Sequence, residues 1–235
     1  MTTQPTRPAT ATTTNYRAPE DLTPIERFDA HPGRGRFNSF FFSVLGCYID
    51  WHLRTRKAAA FAGLPPTVVE LGAGVGANLR YLADDAHLIA IEPNPYMHPR
   101  LRRAARVHGV DLEIRDVVGE RIDLPDASVD AVISSLVLCT VSDPDAVLDE
   151  VRRVLRPGGR FSFAEHVGAE AGTPTRWVQR VLRRPWAWVF EGCSCERDLA
   201  TVIRSAGFAG VDLQSYRIHS PFVPFNTHIA GTAIA

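Results

Sequence analysis

Between Thr67 and Gly159, short apolar runs alternate with stretches whose apolar residues recur every three or four positions. That alternation predicts strands exchanging with helices. "TVVEL" (67–71) is β-branched and almost wholly apolar, as a strand covered on both faces of a parallel sheet should be. "HLIAIE" (87–92), "VDLEIRD" (110–116), "VDAVISS" (129–135) and "RFSFAEH" (160–166) are the next four strands. "ANLRYLADD" (77–85), "PYMHPRLRRAARVHG" (95–109) and "SDPDAVLDEVRRVLRPGG" (142–159) are the expected helices between them. The last is the most explicit. Ser142 or Asp143 can cap it and Pro144 stands near its first position. Val147, Leu148, Val151, Val154 and Leu155 form one stripe, and Pro157 and Gly158 stop it.

The rhythm changes at both ends. Phe37, Phe40, Phe41, Val44, Leu45, Tyr48 and Ile49 fall at helical intervals, with Arg54, Arg56 and Lys57 toward the helix C-terminus. This aromatic helix reads as core packing, as a lid over a pocket, or as a contact with a membrane interface. Downstream, "TPTRWVQRVLRRPWAWVFEGC" (173–193) carries Trp177, Trp186 and Trp188, and "CERDLATVIRSAG" (195–207) is a helix. "GVDLQSYRIHS" (210–220) and "THIAGTAIA" (227–235) have no helical segment between them, so they pair antiparallel most simply. The expected fold class is α/β: a Rossmann-like, seven-stranded, mostly parallel sheet with an antiparallel C-terminal edge hairpin, helices on both faces and an N-terminal lid helix. Residues 1–21, rich in Thr, Pro and Ala, read as a disordered tail. Residues 22–63 read as the lid segment and 64–235 as the α/β domain, with 173–195 a cap insertion.

Composition narrows the classes. The chain has 235 residues, 45% of them hydrophobic, enough for one α/β domain with additions. Lys+Arg and Asp+Glu balance at 26 each, which argues against a broad nucleic-acid surface. The densest basic stretch, "RLRRAARVHG" (100–109), reads as a solvated helix face. The N-terminus lacks the apolar core of a signal peptide, and "FNSFFFSVLGCYIDWHL" (37–53) is too short and too interrupted to span a bilayer. Cys47, Cys139, Cys193 and Cys195 are too sparse for a disulfide framework and read as free thiols of a cytoplasmic protein without a stable membrane anchor. Cys193 and Cys195 form a lone C-x-C with no second cluster, so no metal site is expected.

The candidate chemistry begins at "VVELGAGVGANL" (68–79), where Gly72, Gly74 and Gly76 follow a strand at alternate positions. A dinucleotide loop, G-x-G-x-x-G, would place its third glycine one residue later. Glu70 lies two residues before the first glycine, and Glu92 ends the second strand, where a carboxylate can accept both hydroxyl protons of a ribose. From Thr67 to Gly159 the chain resembles the class I S-adenosylmethionine-dependent methyltransferases. "VVELGAGVG" resembles their first motif, "IAIEPN" the acidic loop after strand two, "LPDASVDAVISSLVL" the fourth-strand motif and "EVRRVLRPGGRF" the helix and turn before strand five. The resemblance implies S-adenosylmethionine as cofactor, held by Glu70, Gly72, Ala73, Gly74, Gly76, Asn78, Glu92, Pro93, Asn94, Val118, Gly119, Ser135 and Leu136. The glycine backbone is expected beneath the methionine part, Glu92 on the ribose, and Glu70 ordering the loop. "VVGE" (117–120) stands where the superfamily often reads G-D-A. The adenine is therefore expected at the backbone of Val118 and Gly119, with Asp116 the alternative contact. "SSLV" stands after strand four in place of an N-P-P-Y or D-P-P-Y tetrad. The expected partner is thus a small-molecule methyl acceptor, not nucleic acid.

"SSLVLCTV", "FAEHVGAE", "WAWVFEGC" and "HIAGTAIA" are similar to the methyltransferase-like 7 branch, which includes vertebrate alkyl-thiol S-methyltransferases. That likeness implies a thiol acceptor, with oxygen or nitrogen of a natural-product or quinone-like molecule as the alternative. The vertebrate members begin with a hydrophobic anchor, whereas a Thr/Pro tail stands here, so their membrane location is not carried over. Phe40, Phe41, Cys139, Trp177 and Trp188 are expected to line the acceptor pocket. His166, ending strand five, is the candidate to orient or deprotonate the acceptor. Glu165, its neighbour on the opposite face, ranks below it, and His219 and His228 are expected to be structural.

Overall fold

A computed structural model describes residues 32–190 and 192–235, apart from several side chains in the first helix. The expected tail (1–21), the first residues of the lid segment and the side chains of Phe41 and Cys47 lie outside the described residues. The chain opens with α1 (Pro32–Ala60), then β1 (Thr67–Leu71), β2 (His87–Ile91), α2 (His98–His108), β3 (Asp111–Arg115) and β4 (Val129–Ser135). It continues with α3 (Pro144–Val154), β5 (Leu155–His166), α4 (Pro174–Val189), α5 (Leu199–Ser205), β6 (Gly210–Arg217) and β7 (Thr227–Ile234).

The seven strands form one sheet in the order β3-β2-β1-β4-β5-β7-β6. β1 to β5 run parallel, and β7 inserts antiparallel between β5 and β6. The order reverses between β1 and β4. The carboxyl ends of strands on either side of such a reversal leave a crevice that α/β folds use for ligands. The sheet core is built from Val69, Leu71, Val132, Phe161, Phe163 and Ile229, all fully or almost fully buried. α3 covers it with Val147, Leu148, Val151 and Val154. Of the two expected caps, Asp143 is the one used: its carboxylate accepts from the amides of Asp145 and Ala146. Among the described residues no helix is long and apolar enough to cross a membrane.

Two local expectations are corrected. The stretch 77–85 is not a helix but a single 3-10 turn, Leu79–Tyr81. Helices this short are costly to nucleate, and Asn78 is turned under the glycine loop, where its amide donates to Glu70 Oε1. Secondly, β5 begins at Leu155, directly after α3. Val129 pairs with Leu155 and Ala131 with Arg160, so residues 156–159 bulge out of the ladder instead of forming a separate turn.

Candidate active site

Leu71, Ile91 and Ser135 are the last residues of β1, β2 and β4, and all three line one cavity of about 220 Å³. The β1–β2 loop forms its floor. Gly72 has φ +55 and Gly74 φ +56, a backbone region that side chains disfavour. A Cβ on Gly72 would come within 2.5 Å of Val137 Cγ2, so the loop and the turn after β4 touch directly beneath the cavity. In that turn Leu136 itself holds φ +61. A branched residue there carries strain of roughly 1–2 kcal/mol, a cost often found at binding sites. Gly76 serves another purpose. It does not line the cavity, and a Cβ there would meet Leu79 at 2.7 Å and Ala104 at 3.0 Å. Its bare backbone admits α2.

Glu92 stands just beyond β2 on the cavity wall, almost buried. Its Oε2 accepts from the Gly74 amide at 2.7 Å and its Oε1 from the Asn94 amide at 2.9 Å, so the carboxylate joins the first loop to the second. Asn94 lies behind it, off the wall, and its Oδ1 accepts from the Tyr96 amide. Glu70 is sealed under the glycine loop and also does not line the cavity. Burial pushes its carboxyl up to about 7. Its Oε2 and the Asn78 Oδ1 have no hydrogen-bond partner among the described residues, and Asn78 does line the cavity.

Ala73, Pro93, Val118, Gly119 and Leu136 also reach the wall, whereas Asp116 is exposed and does not. Glu120 lines the cavity while accepting from the Ser142 and Asp143 amides at 2.9 and 3.3 Å. The sequence reading expected α1 as a lid but missed the residues it brings to the cavity, Gly46, Ile49, Asp50 and Lys57. Lys57 Nζ donates to Asp50 Oδ1 at 2.8 Å, with both side chains nearly buried. Arg80 pairs with Asp50 Oδ2 at 3.0 Å and the Tyr81 hydroxyl donates to Oδ1 at 3.2 Å. Burial holds the Lys57 ammonium below its ordinary pKa, opposed by Asp50. The signal was present in the chain: Asp50 and Lys57 are seven apart, two turns along one face of a largely apolar helix.

The expected acceptor-side residues lie elsewhere. Phe40, Trp177 and Trp188 are 61%, 67% and 65% exposed and do not line the cavity. Trp188 instead meets Phe37, ring centroids 6.5 Å apart. Helix periodicity explains the division. Trp186 is two residues from Trp188 and nine from Trp177, so at 3.6 residues per turn it faces the opposite side. It alone of the three is buried, stacked on Phe190 at 4.1 Å. Cys139 and His166 are buried too, but off the cavity wall. β5 turns His166 inward, where Nδ1 meets Cys193 Sγ at 3.4 Å and Nε2 meets the Pro224 carbonyl at 2.6 Å. His228, its partner across the β5–β7 ladder, is fully buried, and burial lowers its pKa well below the usual histidine range.

Glu165, ranked second from sequence, supports the cavity from behind. It is fully buried, and its Oε1 accepts from Ser134 Oγ at 2.6 Å and from the Val137 amide at 3.2 Å. Burial pushes its carboxyl up to about 7, against an ordinary 4.5. Between those pH values the folded chain holds a proton that the unfolded chain releases, so this group makes stability fall as pH rises through the window. Glutamine has the same shape and does not titrate. Glu165→Gln should therefore gain on the wild type from about pH 5 to about pH 8, by up to about 3 kcal/mol. Paired thermal melts across that range check it, and a pH-independent difference in Tm would contradict the assignment.

A glycine-floored cavity at the sheet's reversal point, with a carboxylate after β2, defines a class I S-adenosylmethionine-dependent methyltransferase, and the comparisons agree. Residues 69–163 match the family model described as a methyltransferase domain. The fold is shared with a SAM-dependent methyltransferase from Thermotoga maritima (TM-score 0.57, 19% identity, 90% of this chain and 98% of that one). It is also shared with one from Aquifex aeolicus (TM-score 0.53, 18% identity, 91% and 99%). Human thiol S-methyltransferase TMT1A is 36% identical over 72% of this chain and 70% of its own length. Rat thiol S-methyltransferase TMT1B is 35% identical over 72% and 70%. The chain belongs to this methyltransferase-like 7, or thiol S-methyltransferase, branch of the superfamily. It is an enzyme, and its cofactor is S-adenosylmethionine.

Proposed function

We propose that the enzyme methylates the sulfur of a small-molecule thiol. Bound S-adenosylmethionine supplies a methyl group on a positively charged sulfur, already electrophilic, so the protein contributes chiefly alignment and exclusion of water. The residues present fit that cofactor. Glu92 suits the two ribose hydroxyls. The backbone from Gly72 through Ala73 to Gly74 offers a floor without intruding side chains. Pro93, Val118 and Gly119 suit the adenine. The Asp50–Lys57 pair, with Asn78 on the same wall, suits an amino-acid head that carries both charges. α1 acts as the lid over that end, and Ser135 and Leu136 border the methyl-transfer side.

The observation that carries the thiol reading is the remaining wall: Ile49, Leu136, Val137 and Val141 are apolar, and no histidine or cysteine is among the described residues lining the cavity. Its carboxylates already have structural duties: Asp50 to Lys57 and Arg80, Glu92 to two loop amides, Glu120 to the start of α3. A thiol with pKa near ~8.5 is a few per cent thiolate at neutral pH and needs no strong base. An alcohol or phenol acceptor more often needs one. The names of the relatives at about 35% identity point the same way. Incubation with methyl-labelled cofactor and a panel of alkyl thiols, phenols and amines tests it. Label should pass to thiols, at a rate that rises with pH as the acceptor ionises. Transfer confined to phenols or amines would overturn the reading.

A further inference from the structure

Three residues far apart in sequence meet behind the cavity. Cys139 follows β4, His166 ends β5 and Cys193 follows α4. Cys193 Sγ lies 3.4 Å from Cys139 Sγ and 3.4 Å from His166 Nδ1, and the three donor atoms all lie within 4.8 Å of one another. All three side chains are buried. The Pro224 carbonyl can only accept, so its 2.6 Å contact places the imidazole proton on Nε2. Nδ1 then presents a lone pair to the two sulfurs. An imidazole tied at its far nitrogen to a backbone carbonyl is the usual outer support of a metal-ligating histidine, because it fixes both tautomer and ring orientation.

We propose that Cys139, Cys193 and His166 Nδ1 form a binding site for one zinc ion. Zn–S distances of about 2.3 Å and Zn–N of about 2.0 Å at tetrahedral angles put the sulfurs about 3.8 Å apart and each sulfur about 3.5 Å from the nitrogen. The two 3.4 Å separations at Cys193 Sγ need only a few tenths of an ångström of opening. Cys139 Sγ and His166 Nδ1, within 4.8 Å of each other, need only a side-chain adjustment to reach about 3.5 Å. On binding, each thiol releases its proton to solvent and each sulfur forms a bond to the metal. Two thiolates and a neutral imidazole then cancel the charge of Zn²⁺. A complex without net charge suits surroundings built by Trp186 and Phe225, 6.0 and 5.4 Å from the His166 ring. Three protein ligands leave one tetrahedral position for a small ligand. Cys195 takes no part, since its Sγ contacts the Gln179 carbonyl at 3.3 Å. The sequence expectation of no metal site rested on the isolated C-x-C. The fold finds the missing ligands 27 and 54 residues upstream of Cys193. Such an ion would clamp the turn after α4 to the turn after β4, whose Val137, Thr140 and Val141 line the cavity.

The inference does not depend on which acceptor the enzyme uses. The full chain, kept reduced and stripped with a chelator, would be titrated with Co²⁺ and then with Zn²⁺. One Co²⁺ per chain should bind, with sulfur-to-cobalt absorption in the near ultraviolet, and Zn²⁺ should displace it. Cys139→Ser and Cys193→Ser should each weaken binding at least about tenfold, while Cys195→Ser leaves it unchanged. Native mass spectrometry of the wild type, which needs no variant to fold, should show one zinc gained and two protons lost. A folded wild-type chain that takes up neither metal would overturn the proposal. So would metal uptake that survives in folded Cys139→Ser and Cys193→Ser chains.

Discussion

A Glu92→Ala enzyme should bind S-adenosylmethionine at least about 100-fold more weakly than the wild type. Hydrogen bonds to a charged acceptor contribute about 1.5–3 kcal/mol each. Two ribose hydroxyls on one carboxylate therefore amount to about 3 kcal/mol or more, and each 1.4 kcal/mol is about tenfold in affinity. The same carboxylate also joins the Gly74 and Asn94 amides at 2.7 and 2.9 Å, so alanine loosens the loops that form the floor. Isothermal titration calorimetry measures the affinity directly. Glu92→Gln keeps one acceptor oxygen and should fall between the two. An alanine variant that binds the cofactor normally would rule out the ribose assignment.

Asp50→Ala should be the most destabilising single change at the cavity, by about 3–5 kcal/mol, the usual cost of removing one partner from a buried ion pair. Lys57 is almost wholly buried, and Asp50 also holds Arg80 and the Tyr81 hydroxyl. Burial already depresses the Lys57 pKa and Asp50 resists that shift, so losing Asp50 moves it further down. A base whose folded pKa lies below its unfolded value makes stability rise with pH up to the unfolded value. The Tm deficit of Asp50→Ala should accordingly shrink as the pH rises toward the ordinary lysine value of about 10.4. Asp50→Ala combined with Lys57→Met removes the stranded charge. It should recover most of the stability while leaving cofactor affinity low, which separates the fold contribution from the site contribution. A single variant as stable as the wild type would mean that Lys57 escapes to solvent when its partner is gone.

How much of this could be read in advance depended on the reach of each signal. Gly72 and Gly74 fall in a strand-to-loop pattern a few residues long, and Glu92 sits one residue past a strand whose apolar run is unmistakable. These were legible because backbone turns and strand ends are decided within that span. The helix expected at 77–85 failed because its Asn78 is spent on Glu70, a contact that composition does not reveal. The tryptophans were misassigned for a different reason. Separations of about two and a half turns and about half a turn from Trp186 already placed Trp177 and Trp188 opposite it, but which face looked inward depended on how α4 packs against Phe225 and His166.

By itself the sequence determined the alternation of strands and helices, the superfamily, the cofactor, and the loop and acid that line the cavity. Each of these is local, written in pleat, turn and helix periodicities. Only the tertiary structure decided that α1 brings Asp50 and Lys57 to the cavity, and that His166 turns away from it. It alone brought Cys139, His166 and Cys193 to within 4.8 Å of one another. The physical reason is the strand order. β7 enters between β5 and β6, closes over the end of β5 and aligns His228 with His166, and no pattern within a single segment encodes which neighbours that order supplies.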